Sequence, residues 1–234
     1  NDSNFSWTDF IEKINSEFDD YNSDYGPSVG GSLTLCFSSN RNSKGQHYDI
    51  IQKNILLAFD EKTEKITAYE DDYYDWISTT FLNYILPLIN TNSNEFGPYT
   101  KLFNYDNYLF FYATDKLGNL DIFFVDSINN KDKNITEYYG PYNAAILNSE
   151  YDDAYPTFNN TYDEIYFSSN RDSTFDIYKI NLSISSNIYD SLTNTSLSSS
   201  SIKADILSSN YDDKCPFIIN KFLVFASNRE GGFG

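Results

Sequence analysis

The fold of this chain is decided by one stretch of sequence, which reads Asp153-Ala154-Tyr155-Pro156, then Ile165-Tyr166-Phe167-Ser168-Ser169-Asn170-Arg171, then Phe175-Asp176-Ile177-Tyr178. Proline cannot donate to a hydrogen-bond ladder, so Pro156 marks the first residue or the edge of a first strand. The apolar run that ends at Phe167 predicts a second strand buried on both faces. Ser-Asn-Arg is typical of turns, which predicts a hairpin into a third strand at Asp176.

The same unit recurs four times along the chain. It consists of an acid three residues before a proline, an apolar strand, an Asn-Arg turn and an aspartate that opens the next strand. The four copies carry Asp24, Pro27, Asn40, Arg41 and Asp49; Glu95, Pro98 and Asp121; Asp153, Pro156, Asn170, Arg171 and Asp176; and Asp213, Pro216, Asn228 and Arg229. Their spacing of roughly 60 to 70 residues suits a blade of four strands with long outer loops.

This repeat predicts an all-β fold, a β-propeller of four-stranded blades with about four blades visible and the last one incomplete. Residues 1–23 are expected to form a helical lead-in, and residues 24–234 the propeller, with blades that start near Asp24, Glu95, Asp153 and Asp213. The fourth copy lacks the Asp-Ile-Tyr strand. We therefore expect an open arc of sheets, with further blades after Gly234, because an unpaired inner strand leaves free backbone groups.

Two segments have the apolar spacing of helices. Residues 6–18 carry Trp7, Phe10, Ile11, Ile14 and Phe18 on one face, which predicts a short amphipathic helix that packs against the propeller. Residues 71–86 have a similar pattern and are predicted to form a second helix that ends before Pro87.

The charge and the first residue constrain the partners and the compartment. The chain has 16 basic and 34 acidic residues and a net charge of −18, so a phosphate backbone would be repelled and nucleic acid is not expected as a partner. No stretch of about 18 apolar residues exists to span a bilayer. The sequence contains no Met, not even an initiator, and begins at Asn1, so we expect that an upstream segment was removed, and a cleaved export signal would explain this.

No catalytic or metal-binding motif stands out, and neither an enzyme nor a cofactor is predicted. His47 is the single histidine, and Cys36 lies in an apolar run that suggests a buried free thiol. Sequence alone leaves a glycosidase-type carboxylate pair open. The recurring acids are instead expected to be structural. Asp24, Asp153 and Asp213 should accept backbone N–H groups or pair with Arg41, Arg171 and Arg229 in buried ties.

The acid, the proline, Phe-Ser-Ser-Asn-Arg and Phe-Asp-Ile-Tyr together resemble the TolB-type, WD-like β-propeller repeat. The resemblance covers residues 24–58, 95–125, 151–180 and 211–234. The second copy departs from the pattern because Thr114-Asp115 stands where Asn-Arg is expected.

This resemblance implies a non-catalytic binding or scaffold module of an exported protein of the Gram-negative envelope, of the lipoprotein type. Its partners would be proteins of an envelope complex, in the periplasm or at the cell surface and associated with the outer membrane. The chain would touch the membrane only through a lipid anchor upstream of Asn1.

The alternative is a propeller attached to a peptidase-like hydrolase, with the catalytic domain beyond Gly234. A lipobox cysteine in the precursor favours the first reading, and a downstream Gly-x-Ser-x-Gly favours the second.

Overall fold

The computed structural model describes residues 14–26, 33–70, 81–103, 107–130, 135–182, 188–195 and 201–231. These residues form mostly β-strands, arranged as three four-stranded antiparallel sheets and one two-stranded sheet. The all-β prediction is confirmed.

The strands follow one another in chain order within each sheet. The first sheet contains β1 (Asp20–Tyr25), β2 (Leu33–Ser39), β3 (Asp49–Asp60) and β4 (Lys65–Glu70). The second contains β5 (Glu95–Phe103), β6 (Asn107–Thr114), β7 (Asp121–Asn130) and β8 (Ile135–Asn143). The third contains β9 (Asp153–Phe158), β10 (Glu164–Ser169), β11 (Asp176–Asn181) and β12 (Ile202–Lys203), and the fourth contains β13 (Asp213–Ile219) and β14 (Phe222–Ser227).

Strand register defines the repeat more sharply than the proline spacing does. In the third sheet Ser169, at the end of β10, lies opposite both Asp153 and Asp176. In the first sheet the corresponding residue Ser39 lies opposite Asp49 and Asp20, not Asp24.

The first strand of the first sheet therefore begins at Asp20, inside the predicted 1–23 lead-in and four residues before Asp24. The proline of this copy, Pro27, lies outside the described residues.

Each first strand contains a bulge at the same place. Register shifts follow the residue after the acid in β1, β5, β9 and β13. The residue two positions after the acid has a positive φ in all four strands: Asn22 (56°), Gly97 (58°), Tyr155 (59°) and Cys215 (54°). This shared left-handed residue turns the four strands in the same way, as bulges do.

Two apolar clusters join the first three sheets. One cluster joins the second and third sheets through Leu109, Phe111 and Phe124 on one side and Phe158 and Phe167 on the other. The other cluster places helix α1 (Phe81–Ile89) against the first and second sheets. A short helix, α2 (Ile188–Leu192), adds Leu192 to the first cluster.

Helix α1 differs from the helix predicted at residues 71–86. Residues 71–80 lie outside the described ranges, and the helix continues through Pro87 to Ile89. Proline removes one backbone hydrogen bond from the helix. The loss is offset because Leu82, Ile85 and Ile89 are fully buried in the cluster between the first and second sheets.

The predicted N-terminal helix also ends earlier than residue 18. Ile14 is helical, whereas residues 15–19 are not, and residues 6–13 lie outside the described part of the chain. The helix ends there because both the backbone N–H and the hydroxyl of Ser16 donate to Asp20 Oδ2, at 2.7 and 2.9 Å. The Ile14 side chain packs on Leu35 and Phe37 of the first sheet.

Candidate functional site

The repeat acids join each sheet to the one before it. The N–H of Asp153 donates to the carbonyl oxygen of Leu120 at 2.7 Å, and the N–H of Leu120 donates to Asp152 Oδ1 at 2.9 Å. The same pair of bonds joins Tyr48 to Glu95 and Asn94, and Phe175 to Asp213 and Asp212. We call each of these connections a joint.

Three of the four repeat acids also form the predicted tie to arginine. Asp153 pairs with Arg171 at 2.6 Å and Asp213 with Arg229 at 3.0 Å. Arg41, however, pairs with Asp20 at 2.6 Å and not with Asp24, which takes the other predicted role and accepts a backbone N–H, that of Thr100. Burial pushes the pKa of Asp20 upward, but hydrogen bonds from Ser39 and Arg41 outweigh it and hold the pKa below its usual value.

The second sheet has Asp115 where the repeat pattern has asparagine, and an asparagine, Asn94, where the third sheet has Asp152. In the third sheet the Asn170 side chain accepts from the N–H of Asp152 and donates to its Oδ2, both at 2.9 Å. In the second sheet Asp115 accepts from the N–H of Asn94 at 2.8 Å and from its side-chain amide at 2.5 Å. The acid and the amide have changed places, and the same two bonds are kept. The other two asparagines of the repeat act like Asn170: Asn40 accepts from Asp19 N–H and Asn228 from Asp212 N–H.

A hydroxyl four residues before each acid was missed by the sequence reading. Ser149 donates to Asp153 Oδ2 through both its N–H and its hydroxyl, at 2.6 and 2.7 Å. The counterparts of Ser149 are Ser16, Thr91 and Ser209. The signal was present in the sequence, because Asn15-Ser16-Glu17-Phe18-Asp19-Asp20 closely matches Asn148-Ser149-Glu150-Tyr151-Asp152-Asp153.

The aspartates that open the third strands lie at the joints. Asp49, Asp121 and Asp176 are all buried. Burial and the negative charges of Asp153 and Asp152 raise the pKa of Asp121 to about 6. Asp176 has a countercharge, the ammonium of Lys203 at 2.6 Å.

Glu95 is the repeat acid that has no arginine partner. It is fully buried and accepts hydrogen bonds from Thr91 and, at 3.3 Å, from Thr114. Burial, together with the negative charge of Asp49, raises the pKa of Glu95 to about 7. The hydrogen bonds from Thr91 and Thr114 lower this pKa but do not outweigh the burial. His47 lies 3.8 Å from Asp49, on the same joint.

Replacing Glu95 by glutamine is expected to remove part of the pH dependence of stability. Between the unfolded pKa of 4.5 and about 7, the folded chain binds more protons at Glu95 than the unfolded chain does. Stability is therefore lost as pH rises through this window. Glu95→Gln should flatten the curve there, measured by urea unfolding from pH 4.5 to 8. A slope identical to that of the unaltered chain would contradict the raised pKa.

The first strands of all four sheets converge on one cavity. β1 lies beside β5, β5 beside β9, and β9 beside β13. The cavity has a volume of about 120 Å³ and is lined by the bulge residues and their neighbours. These lining residues are Asn22, Ser23, Asp24, Gly97, Pro98, Tyr99, Tyr155, Pro156, Cys215, Pro216 and Phe217.

The repeat prolines therefore belong to the site, since Pro98, Pro156 and Pro216 all line the cavity. Across the cavity, the Asn22 side-chain amide donates to Cys215 Sγ at 2.9 Å, which links the first and fourth sheets. Burial raises the pKa of the Cys215 thiol to about 11, so this thiol is protonated at neutral pH. Cys36 is a buried free thiol, as predicted.

Asp24 is the one charged residue of this lining. It lies four residues after the repeat acid Asp20, and the residues at this position in the second and fourth sheets are Tyr99 and Phe217. Its Oδ2 accepts the N–H of Thr100, in the next sheet, at 2.6 Å. Burial nevertheless raises the pKa of Asp24 to about 6. The carboxylate is thus ionised at neutral pH in a largely apolar cavity.

The described ranges hold no group of three or more His, Cys, Asp or Glu side chains that could bind a metal ion. No helix in these ranges is long and apolar enough to cross a bilayer. Comparison of the whole chain with protein-family models and with curated proteins found no match.

Proposed function

We propose that the chain is a non-catalytic binding module of the β-propeller type that serves protein–protein assembly. Successive sheets carry the same joint and the same bulge, and their first strands lie side by side around one cavity. A radial arrangement of repeated sheets around a central opening is the principle of propellers. In such a scaffold a ligand can bind at the central opening, in contact with the innermost strands.

The observation that carries this proposal is the position of Asp24. Residues that recur in each sheet serve the scaffold, as the acid at the joint does, whereas a binding site needs its charged group only once. Asp24 is the residue that differs from its counterparts, and it lies in the cavity where the four sheets meet. A carboxylate among prolines and aromatic rings suits a basic side chain on an extended partner segment.

The same residues argue against a glycosidase-type pair of carboxylates in this cavity. Glycoside hydrolysis requires two carboxyl groups on either side of the bond that is cleaved. The cavity lining contains one, and the repeat acids Asp153 and Asp213 are held by arginine.

The setting that we propose is the Gram-negative envelope, in the periplasm or at the cell surface. The resemblance to TolB-type repeats supports an exported module with protein partners and, upstream of Asn1, a lipid anchor as its link to the outer membrane. The net charge of −18 supports basic protein segments as partners and disfavours nucleic acid.

The cavity proposal is tested with a library of displayed peptides of about fifteen residues. We expect the enriched sequences to contain lysine or arginine, and Asp24→Asn to weaken their binding at least tenfold, because a hydrogen bond to a charged group contributes about 1.5–3 kcal/mol. Binding should also weaken below pH 6, where Asp24 becomes protonated. Glu150→Gln, at an exposed acid, is the matched control.

Two results would contradict this function. One is enrichment of peptides whose binding is unchanged by Asp24→Asn. The other is turnover of glycoside, ester or peptide substrates that a substitution at a single, non-repeated carboxylate abolishes.

A further inference from the structure

The cavity that contains Asp24 combines one carboxylate with aromatic side chains from the other three sheets. Tyr99 lies in β5, Tyr155 in β9 and Phe217 in β13. The repeat prolines complete a largely apolar lining. A negative charge among aromatic rings suits an organic cation, because the faces of the rings carry partial negative charge.

The two tyrosine rings of the lining are held in place by their neighbours. The hydroxyl of Tyr99 accepts the N–H of Phe158 at 3.1 Å, and the two rings stack with their centroids 6.4 Å apart. The Tyr155 ring packs against Gly97, where no Cβ stands between them. A ligand therefore enters a cavity that is already formed, and it does not have to order these side chains.

The hydrogen-bonding groups of the lining already have partners in the chain. Asp24 Oδ2 accepts the N–H of Thr100 at 2.6 Å, and the Asn22 side-chain amide donates to Cys215 Sγ. A primary ammonium or a guanidinium carries several N–H donors. Such a cation would lose its hydration here with few acceptors to replace the water, which is costly in a buried site.

A trimethylammonium group avoids this cost, because it is positively charged and has no N–H to donate. Its size also fits the cavity volume of about 120 Å³. An apolar cavity of about 150 Å³ holds benzene, which is larger than this group. Among the described residues that line the cavity, none is a lysine or an arginine, so no countercharge for Asp24 lies in the lining. Lys101 directs its ammonium at the Tyr162 ring, 4.4 Å from the ring centroid, outside the lining.

We propose that this cavity binds a trimethylammonium group, of the kind that trimethylated lysine and choline carry. The inference rests on the proposed binding function of the cavity and names the cation that the site prefers. The charge of the group pairs with Asp24, and its methyl groups contact the rings of Tyr99, Tyr155 and Phe217. A betaine is disfavoured, because Asp24 would repel its carboxylate.

The test is a titration of the chain with small probes of related shape, followed through the backbone amide signals in NMR spectra. Choline should shift the amides of Gly97 and Thr100 in a saturable way. Ethanolamine, which has a primary ammonium, and the uncharged carbon analogue of choline should each bind at least tenfold more weakly. Absence of saturable shifts with choline overturns the proposal, and so does equal affinity for either control probe.

Substitutions assign the binding to the cavity. Asp24→Asn and Tyr155→Leu should each weaken choline binding roughly tenfold or more, because they remove the countercharge and one ring. Tyr139→Leu is the matched control, at an exposed ring on β8, and should leave the affinity unchanged. Unchanged affinity in Asp24→Asn or in Tyr155→Leu overturns the proposal. If a variant fails to fold, the series of probes still decides, because it uses the unaltered chain.

A trimethyl-lysine with both termini blocked separates the two sources of the group. Tighter binding than that of choline assigns the group to a protein partner, and the reverse order assigns it to a free small molecule. The inference and the proposed function can fail separately. If displayed peptides bind through Asp24 while choline and trimethyl-lysine bind no better than ethanolamine and lysine, the assembly function stands and the trimethylammonium site is wrong. If choline and trimethyl-lysine bind as expected and no peptide is enriched, the site stands and the assembly function is wrong.

Discussion

Replacing Asp153 by alanine is expected to lower the free energy of unfolding by about 3–5 kcal/mol, because it removes the fully buried partner of the half-buried Arg171 charge. Asp153 is fully buried, and besides Arg171 it accepts two hydrogen bonds from Ser149. Its Oδ1 lies 2.6 Å from Arg171 Nη2. Removing the carboxylate thus leaves three hydrogen-bond donors, one from Arg171 and two from Ser149, without their acceptor, next to the joint between the second and third sheets.

The measurement is thermal unfolding followed by circular dichroism. At about 2–4 °C per kcal/mol for a chain of this size, the midpoint should fall by roughly 6–20 °C. Glu150→Ala, at an exposed neighbour, should leave the midpoint within about a degree or two, since surface substitutions cost little. Asp20→Ala should behave like Asp153→Ala, and similar small shifts for Asp153→Ala and Glu150→Ala would disprove the structural role of the repeat acid.

Replacing Gly97 by alanine is expected to cost about 2–4 kcal/mol. Gly97 has a φ of +58°, where a Cβ costs about 1–2 kcal/mol. The new Cβ would also overlap with the Tyr155 ring, so that the ring or the strand that carries it must move. Overpacking of this kind adds about 1–3 kcal/mol. The N–H of Gly97 also donates to Ser38 Oγ in the first sheet, at 3.1 Å.

A double-mutant cycle separates the two causes. In a Tyr155→Ala background the ring is gone, and Gly97→Ala should then cost only the backbone strain of about 1–2 kcal/mol. Unfolding in urea gives the four free energies. An equal cost of Gly97→Ala with and without the Tyr155 ring would show that the contact between the sheets contributes nothing.

The third and fourth sheets could be predicted from their residues, because each part of the motif indicates one local structure. The proline indicates the start or edge of a strand, the apolar run a buried strand, and Ser-Asn-Arg a turn. The first sheet could not be placed by proline spacing. Ser23 stands where the other sheets have proline, and Pro27 follows Asp24 at the same distance by coincidence. Aligning on Asn15-Ser16 and Asp19-Asp20 instead gives the register that the structure has.

The cavity could not be predicted in the same way. It depends on residues from four sheets, such as Asn22 and Cys215, that are 193 positions apart in the chain. The repeat pattern singles out Asp24 but predicts a structural role for it. The cavity around Asp24 forms only when the four sheets pack together, so the sequence does not show it. The hydrogen bonds that the Asn90 side chain makes with the backbone of Ile50, and the Asn148 side chain with the backbone of Ile122, could not be predicted for the same reason.

The joints have a consequence for the order in which the chain gains structure during synthesis. Their side-chain bonds connect residues only 46, 32 and 37 positions apart, so each joint closes a short loop at modest entropic cost. Each joint also involves only adjacent sheets, as nearest-neighbour coupling in repeat proteins does. A nascent chain leaving the ribosome can therefore lock each sheet onto the previous one as soon as its first strand emerges. Mechanical pulling from the C-terminus should release the sheets one after another in the reverse order.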